Sequence, residues 1–275
     1  MFGKSKFFKA IADGDVVTVK KMLAEGVNPN SFKLFQDSPL NEACARGDVE
    51  MAKCLIEAGA DINNGALNRA AQGGHADLLR LLIQLGADTN KLIAGTTPLH
   101  VAAMFKQPES IEVLLQAGGR VNERGLHGRT PLYWAVQEGS LEAVRKLLNA
   151  GADPDLPDNE GDTPLISVGI VPTNPELMVE LIDAGADMRP RARVVNAQSE
   201  ETHLNLETRN SDKNTLLMIA AKDGRLRAVE RLISAGVDLN KTNNEGRTAL
   251  MLASINGHTD VVRCLQENGA PTMNG

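Results

Sequence analysis

The chain has 275 residues, enough for one or two domains, and 42% of them are apolar, so a core is available. Aromatic residues are only 3%, with one Trp and one Tyr, which is low for an enzyme built around one large core and suits thin layers of Leu, Ala, Val and Ile. A formal net charge of -6 offers no clustered basic surface for nucleic acid or an anionic membrane, and no apolar run approaches the ~18 residues of a membrane span. The N-terminus, MFGKSKFFKAIADGD, lacks the apolar stretch of a signal peptide. Cys44, Cys54 and Cys264 have no pattern in their spacing and read as reduced, buried thiols. The expectation is a cytoplasmic or nuclear protein that is not secreted.

In chain order, the first element lies within 5–30 and opens SKFFKAIADGD, with Lys4, Lys6 and Lys9 on what should be a polar outer side. Ser31-Phe-Lys-Leu-Phe35 is an unusually apolar loop, and 37–63 then opens on Ser38-Pro39-Leu40. The clearest segment runs from Gly95 to Asn122. Thr97 can accept hydrogen bonds from a helix start, and Pro98 suits the first helical position. Leu99, Ala102 and Ala103 make one small apolar face, Pro108 opens a second helix with Ile111, Val113, Leu114 and Leu115, and Gly118 closes it. Two such helices are too short to stand alone in water and need neighbours on both sides.

The pattern recurs. Phe7, Leu40, Leu67, Leu99, Leu132, Leu165, Leu217 and Leu250 mark the first helices at intervals of 33, 27, 32, 33, 33, 52 and 33. The glycines after the second helices, from Gly26 to Gly269, repeat those intervals within a residue. The interval of 52 marks an insertion within 190–212, where 193–198 and 202–207 partly alternate and read as an extended β-hairpin, with a disordered loop as the alternative. Asn174 can cap the helix that Pro175 starts.

GTTPLHVAA, GRTPLYWAV, GDTPLISVG and GRTALMLAS, with loop ends GADIN, GADTN, GADPD, GADMR and GVDLN, resemble ankyrin repeats over essentially the whole chain. The resemblance implies a single all-α repeat solenoid over 1–275, made of stacked helix-turn-helix units with β-turn fingers. The repeats fall at about 5–30, 37–63, 64–90, 91–122, 123–155, 156–189, 213–240 and 246–271, with the extended β-hairpin insertion at 190–212. The short third repeat loses most of its finger and leaves a notch at Asn63-Asn64-Gly65. Polar outer sides at both ends would act as caps.

Chemistry is hard to find in these residues. The resemblance gives His100 a loop-tying role, and His75 and His258 follow Gly at the turn between helices, a position that the family often fills with His. No His or Cys pair has metal-ligand spacing, so no metal and no cofactor is expected. The Asp of each GAD motif recurs once per repeat and reads as a turn residue. Glu200-Glu201 sits at the hairpin tip, no Gly-rich phosphate loop or G-x-S-x-G is present, and no catalytic residue is assigned. Trp134 should pack between adjacent helices. Tyr133, in the usual His position, either replaces that hydrogen bond or faces the groove.

The resemblance implies a concave groove lined by the fingers and the ends of the first helices. The candidate partner-binding residues are Leu34, Phe35, Ile93, Met104, Phe105, Leu126, His127, Gln137, Glu138, Asn159, Ile170 and Val171. Met104, Phe105, Ile170 and Val171, with Ile93 and Leu126, would form an apolar strip over repeats four to six. The function expected is a non-enzymatic protein–protein interaction module, monomeric when free, acting as an inhibitor, immunity protein or adaptor. Its partner is another protein, with no nucleic acid and no membrane. The alternative is small-ligand or peptide binding at the notch.

Overall fold

The computed structural model describes residues 2–31, 38–169, 174–188, 206 and 209–271, with the backbone alone at 2–4, 168 and 169. Leu34, Phe35, Ile170, Val171 and nearly all of the expected hairpin, Glu200-Glu201 included, lie outside the described residues. Two compact units, 1–126 and 127–275, are described separately.

Unit one holds α1 (Phe2–Ala12), α2 (Val16–Ala24), α3 (Pro39–Ala45), α4 (Val49–Glu57), α5 (Ala66–Gly73), α6 (Ala76–Gln84), α7 (Pro98–Met104) and α8 (Pro108–Gln116). Unit two holds α9 (Pro131–Gln137), α10 (Leu141–Asn149), α11 (Pro164–Gly169), α12 (Pro175–Asp183), α13 (Leu216–Lys222), α14 (Leu226–Ser234), α15 (Ala249–Ile255) and α16 (Thr259–Glu267). Among the described residues there is no sheet, only the isolated bridges Ile93–Thr96 and Arg209–Thr215.

The caps follow the residues that suggested them. Ser38, Thr97, Thr130, Thr215 and Thr248 each accept a backbone N–H three residues on, and Asn174 does so for α12. Pro sits at the start of α3, α7, α8, α9 and α12. In unit one α1 packs on α3, α3 on α5 and α5 on α7; in unit two α9 packs on α11 and α13 on α15. Alanines make these contacts close: Ala43, Ala70, Ala71, Ala102, Ala103, Ala135, Ala220 and Ala253 are all buried. Phe7 and Phe8 meet edge to face at 6.1 Å in α1, while Lys6 and Lys9 stay exposed.

The loop ends stitch one repeat to the next. The Asp of GAD accepts an N–H two residues on at Asp61, Asp88, Asp153 and Asp238, which is a turn role. The last residue of the motif reaches across. Asn30 Oδ1 accepts from Asp61 N–H at 2.8 Å, Asn63 Oδ1 from Asp88 N–H at 2.9 Å, and Asn90 Oδ1 from Arg120 N–H at 2.8 Å. Asp155 repeats the step to Asp187 N–H at 2.7 Å. His75 Nε2 lies 3.0 Å from the Ala45 carbonyl and His258 Nε2 2.9 Å from that of Lys222, so both histidines tie a helix turn to the repeat before it. Gln107 does the same at 3.2 Å from the Gln72 carbonyl.

Unit two bridges its long interval with charge. The Glu180 carboxylate, 9% exposed, accepts from Arg145 of α10 at 2.7 Å and from Arg225, the N-cap residue of α14, at 2.6 Å. Arg225 also lies 3.6 Å from Asp183, whose Oδ1 accepts the Ala228 N–H. Three second helices are thereby held in one row.

One expectation needs correction. Cys44 and Cys54 are buried, but Cys264 is only half-buried, because its helix α16 belongs to the last repeat. Trp134 is half-buried, with the Arg129 guanidinium 5.0 Å from its ring.

Candidate functional site

The site is built from the loops that lead into the first helices. Three loops of unit two share one device. Counting back five residues from the capping Thr163, Thr215 and Thr248 gives Asp158, Asn210 and Asn243. Each side chain accepts backbone N–H groups two and four residues on: Asp158 from Glu160 and Asp162, Asn210 from Asp212 and Asn214, and Asn243 from Glu245 and Arg247. One short polar side chain thus organises the turn.

The loop before α7 departs from this. Five residues before Thr97 stands Leu92, which cannot accept a hydrogen bond and is 48% exposed. The tip closes instead as a two-residue turn. Ile93 N–H donates to the Thr96 carbonyl at 2.9 Å and Thr96 N–H to that of Ile93 at 3.0 Å, around Ala94 and Gly95 at φ 48° and 78°. Left-handed backbone is ordinary for Gly95 and costly for Ala94. The Leu126 N–H donates to the Gly95 carbonyl at 2.7 Å, which joins this loop to the next. Leu126 is 44% exposed and Ile93 half-buried.

At the other end of α7 the helix stops at Met104, with Phe105 as its C-cap. Phe105 is 46% exposed and Met104 half-buried, so the helix end divides the pair. Lys106 follows at φ 55°. Gly14, Gly47, Gly74, Gly139, Gly224 and Gly257 take that left-handed turn in other repeats. A lysine there costs roughly 1–2 kcal/mol relative to an unstrained backbone. Of the two non-glycine strained residues of this repeat, Lys106 adjoins the exposed Phe105 and Ala94 adjoins the half-buried Ile93.

The remaining candidates lie in unit two. His127, Gln137, Glu138 and Asn159 are all exposed, and the Asn159 N–H donates to the His127 carbonyl at 2.9 Å. A depression of about 310 Å³ lies between the loops and helix ends of repeats seven and eight, lined by Asp212, Lys222, Asn243, Arg247 and Ile255 among others. It is mostly polar, and its groups bind one another: Asn243 donates to Asn214 at 2.9 Å and Arg247 pairs with Glu245 at 2.5 Å.

Tyr133 is buried and its hydroxyl bonds to the Asp158 carboxylate, so it replaces the histidine's hydrogen bond and does not face the groove. Burial, then the Asp158 charge, pushes its pKa up to about 12. Arg129 sits 4.8 Å over its ring and pairs with Asp158 at 3.4 Å. His100 is fully buried, with Nδ1 2.8 Å from the Thr97 hydroxyl at its own helix start.

Burial pushes the Cys44 thiol up to about 12 and also raises Cys54 and Cys264, away from the thiolate a nucleophile needs. Among the described residues no three His, Cys, Asp or Glu side chains are grouped to hold a metal ion. No described helix is long and apolar enough to cross a membrane.

The notch is partly used by the fold. Asn63 stitches to Asp88, and the Asn64 carbonyl accepts from Asn41 Nδ2 at 2.8 Å. Two features remain. Gly65 gives α5 no side-chain cap, and the buried Asn41 Oδ1 has no hydrogen-bond partner.

Leu92 was missing from the expected set, although counting back from the capping threonines marks it. The Asn30, Asn63 and Asn90 stitches were missing as well, and their signal is the recurring last letter of the GAD-x-N motif.

Known proteins carry the same pattern. The family described as ankyrin repeats (3 copies) matches at residues 7–93, 67–158, 99–192 and 172–274. An ankyrin repeat and KH domain-containing protein of Caenorhabditis briggsae is 31% identical over 188 residues, covering 63% of this chain and 7% of that protein. The mitochondrial disaggregase of Homo sapiens is 42% identical over 60 residues, 22% of this chain and 8% of its own length. Ankyrin repeat and SAM domain-containing protein 6 of Rattus norvegicus is 39% identical over 75 residues, 27% of this chain and 8% of its own. The chain spans less than a tenth of the length of each of these relatives. Helix pairs, caps and stitched loops agree with that match, and the chain belongs to the ankyrin repeat family.

Proposed function

We propose that this chain is a non-enzymatic protein-binding module whose contact face is centred on repeat four. Ankyrin repeats mediate protein–protein interaction, and that general role is the starting point. One observation carries the placement. Leu92 stands where three other loops keep an Asp or Asn, and with Phe105 and Leu126 it leaves bulky apolar surface in water. Exposed apolar groups of this kind supply the anchors of interfaces. Ile93 and Met104 extend the face as half-buried neighbours. His127, Gln137, Glu138 and Asn159 are candidate contacts within unit two, and Leu34, Phe35, Ile170 and Val171 are candidates from the sequence alone. The module acts by occupying its partner's surface, as an inhibitor, an immunity protein or an adaptor, in the cytoplasm or nucleus.

The test is the double variant Met104→Arg, Phe105→Glu. Partner capture from the native host is expected to be lost while the thermal melt stays within about 2 °C of wild type, the shift of a minor surface change. Undiminished capture contradicts the placement.

A second reading places a small hydroxyl-bearing ligand at the notch. It is supported by the uncapped start of α5 beside the unpaired Asn41 Oδ1. A hydroxyl can accept from the helix start and donate to that oxygen, which a carboxylate cannot do. A melting shift in a polyol panel that disappears in Asn41→Leu supports this reading, and a panel without shifts removes it.

A further inference from the structure

We propose that Asn64 is a modification site. Its side-chain amide is converted, by attack of the Gly65 backbone nitrogen and then by water, into a carboxylate at the start of α5. The notch thereby changes from neutral to negative as the protein ages. This goes beyond the binding role proposed for repeat four and does not depend on it.

Glycine has no Cβ, so an asparagine before it can fold back on the glycine nitrogen. Asn-Gly pairs stand at 64–65, 256–257, 268–269 and 274–275, the last outside the described residues. Two of them are locked. Asn256 and Asn268 are the C-cap residues of α15 and α16. Their Nδ2 groups donate to the Leu252 and Cys264 carbonyls, both at 2.8 Å. The Gly257 and Gly269 N–H groups donate to the Ser254 and Gln266 carbonyls at 3.1 and 3.0 Å. Nucleophile and leaving group are both held. Asn64-Gly65 differs. Its backbone is anchored, the Asn64 N–H by the Asp61 carbonyl at 3.4 Å and the Asn64 carbonyl by Asn41 Nδ2 at 2.8 Å. Among the described residues, however, neither the Asn64 side chain nor the Gly65 N–H makes a hydrogen bond. The fold also keeps the glycine in place: Gly65 has φ 92°, and a Cβ there would lie 3.1 Å from Asn41 Nδ2.

The Gly65 nitrogen attacks Asn64 Cγ and gives its proton to solvent. The Cγ–Nδ2 bond breaks, and Nδ2 leaves as ammonia with a proton from water. Water then opens the cyclic imide. Addition at Cγ breaks the new Cγ–N bond and leaves aspartate at position 64. Addition at the backbone carbonyl carbon breaks the original peptide bond instead, so the chain runs through Cγ as isoaspartate. The sum is amide plus water giving carboxylic acid plus ammonia, with no oxidant or cofactor. Either product puts a carboxylate at the opening of α5, which has no side-chain cap and favours negative charge there. Isoaspartate also lengthens the backbone between 64 and 65. That displaces the carbonyl held by Asn41 Nδ2, in a buried side chain whose Oδ1 already lacks a partner.

The test ages the full chain at mildly alkaline pH, once native and once unfolded in urea, and follows each Asn-Gly pair by proteolytic peptide mapping. Conversion makes a peptide about 1 Da heavier, and chromatography separates its aspartate and isoaspartate forms. In the native chain Asn64 should convert at least tenfold faster than Asn256 or Asn268. In urea the three should converge to within severalfold, because the fold is what separates them. The Asn64→Gln variant, whose longer side chain closes a ring far more slowly, should keep its mass at this peptide. Equal native rates at the three pairs, or an Asn64 retained while Asn256 or Asn268 converts, overturn the proposal. So does an Asn64 that converts only in urea.

Discussion

The loops before α7 and before α15 lead into equivalent first helices and are built on different rules. Before α15, Asn243 accepts two backbone N–H groups and donates to Asn214, so a polar residue near the surface is occupied by the fold itself. Before α7, Leu92 stands at that position, exposed, and a two-residue turn with a strained Ala94 closes the loop instead. The depression beside Asn243 looks like a site because it is a hollow, yet its polar groups answer one another. The surface at repeat four instead leaves Leu92, Phe105 and Leu126 exposed. In a repeat fold, a residue that departs from the repeat's own rule and gains no internal partner is the better guide to function than the shape of the surface.

The largest expected effect comes from setting the two regions against each other in a binding experiment. Phe105→Glu with Leu126→Glu should weaken partner capture by at least a hundredfold, about 3 kcal/mol at 25 °C, within the range of interface hot spots. Lys222→Glu in the polar depression should change it less than twofold. Equal losses at both places would erase the distinction.

Stability should show the reverse order. Glu180→Ala leaves Arg145 and Arg225 without their shared carboxylate. Breaking a buried ion pair costs about 3–5 kcal/mol; because both arginines are partly exposed, about 2 kcal/mol is expected by urea unfolding. Asn243→Ala should cost about 1 kcal/mol for its lost turn bonds, while Phe105→Ala stays within about 0.5 kcal/mol of wild type.

Tyr133 offers a test of burial in unit two that needs no partner. It is the one tyrosine of the chain, so absorbance at ~295 nm reads it alone. Its folded pKa is raised from 10.0 to about 12. The folded protein keeps a proton that the unfolded chain gives up. The stabilising effect is therefore complete below pH 10 and is lost as the pH climbs from 10 toward 12, on the order of 2 kcal/mol across the window. Tyr133→Phe should lack this decline. A phenolate appearing near pH 10 in the native protein would place the hydroxyl in solvent.

The smallest effect concerns strain. Lys106→Gly should raise stability by about 0.5–1 kcal/mol, since glycine accepts φ 55° without the steric cost and returns part of that in unfolded-chain entropy. A destabilised Lys106→Gly would mean that the lysine serves the fold after all.

What was legible in the sequence was what the chain decides locally. Thr97-Pro98, Asn174-Pro175 and Gly118 each fix a helix end within a few residues, and the structure has those ends. The turn role of the GAD aspartates follows from recurrence alone. Other features depend on geometry that periodicity does not carry. Met104 and Phe105 are neighbours in sequence, but the helix end leaves one half-buried and the other exposed. Leu92 was passed over for Ile93, because the two-residue turn decides which of them points out. Tyr133 had two possible roles until Asp158, from the following loop, was placed against it. The Glu180 cluster joins residues 35 and 45 positions apart across the inserted segment, a distance over which no local pattern operates.

Hydrogen exchange of the chain with its captured partner, against the chain alone, tests the central claim most directly. The account predicts slowed exchange at the amides of 91–96, 104–107 and 125–126, with those of 243–247 unchanged. Protection concentrated at 243–247, or at 63–68 around the notch, with repeat four unaffected, would contradict it.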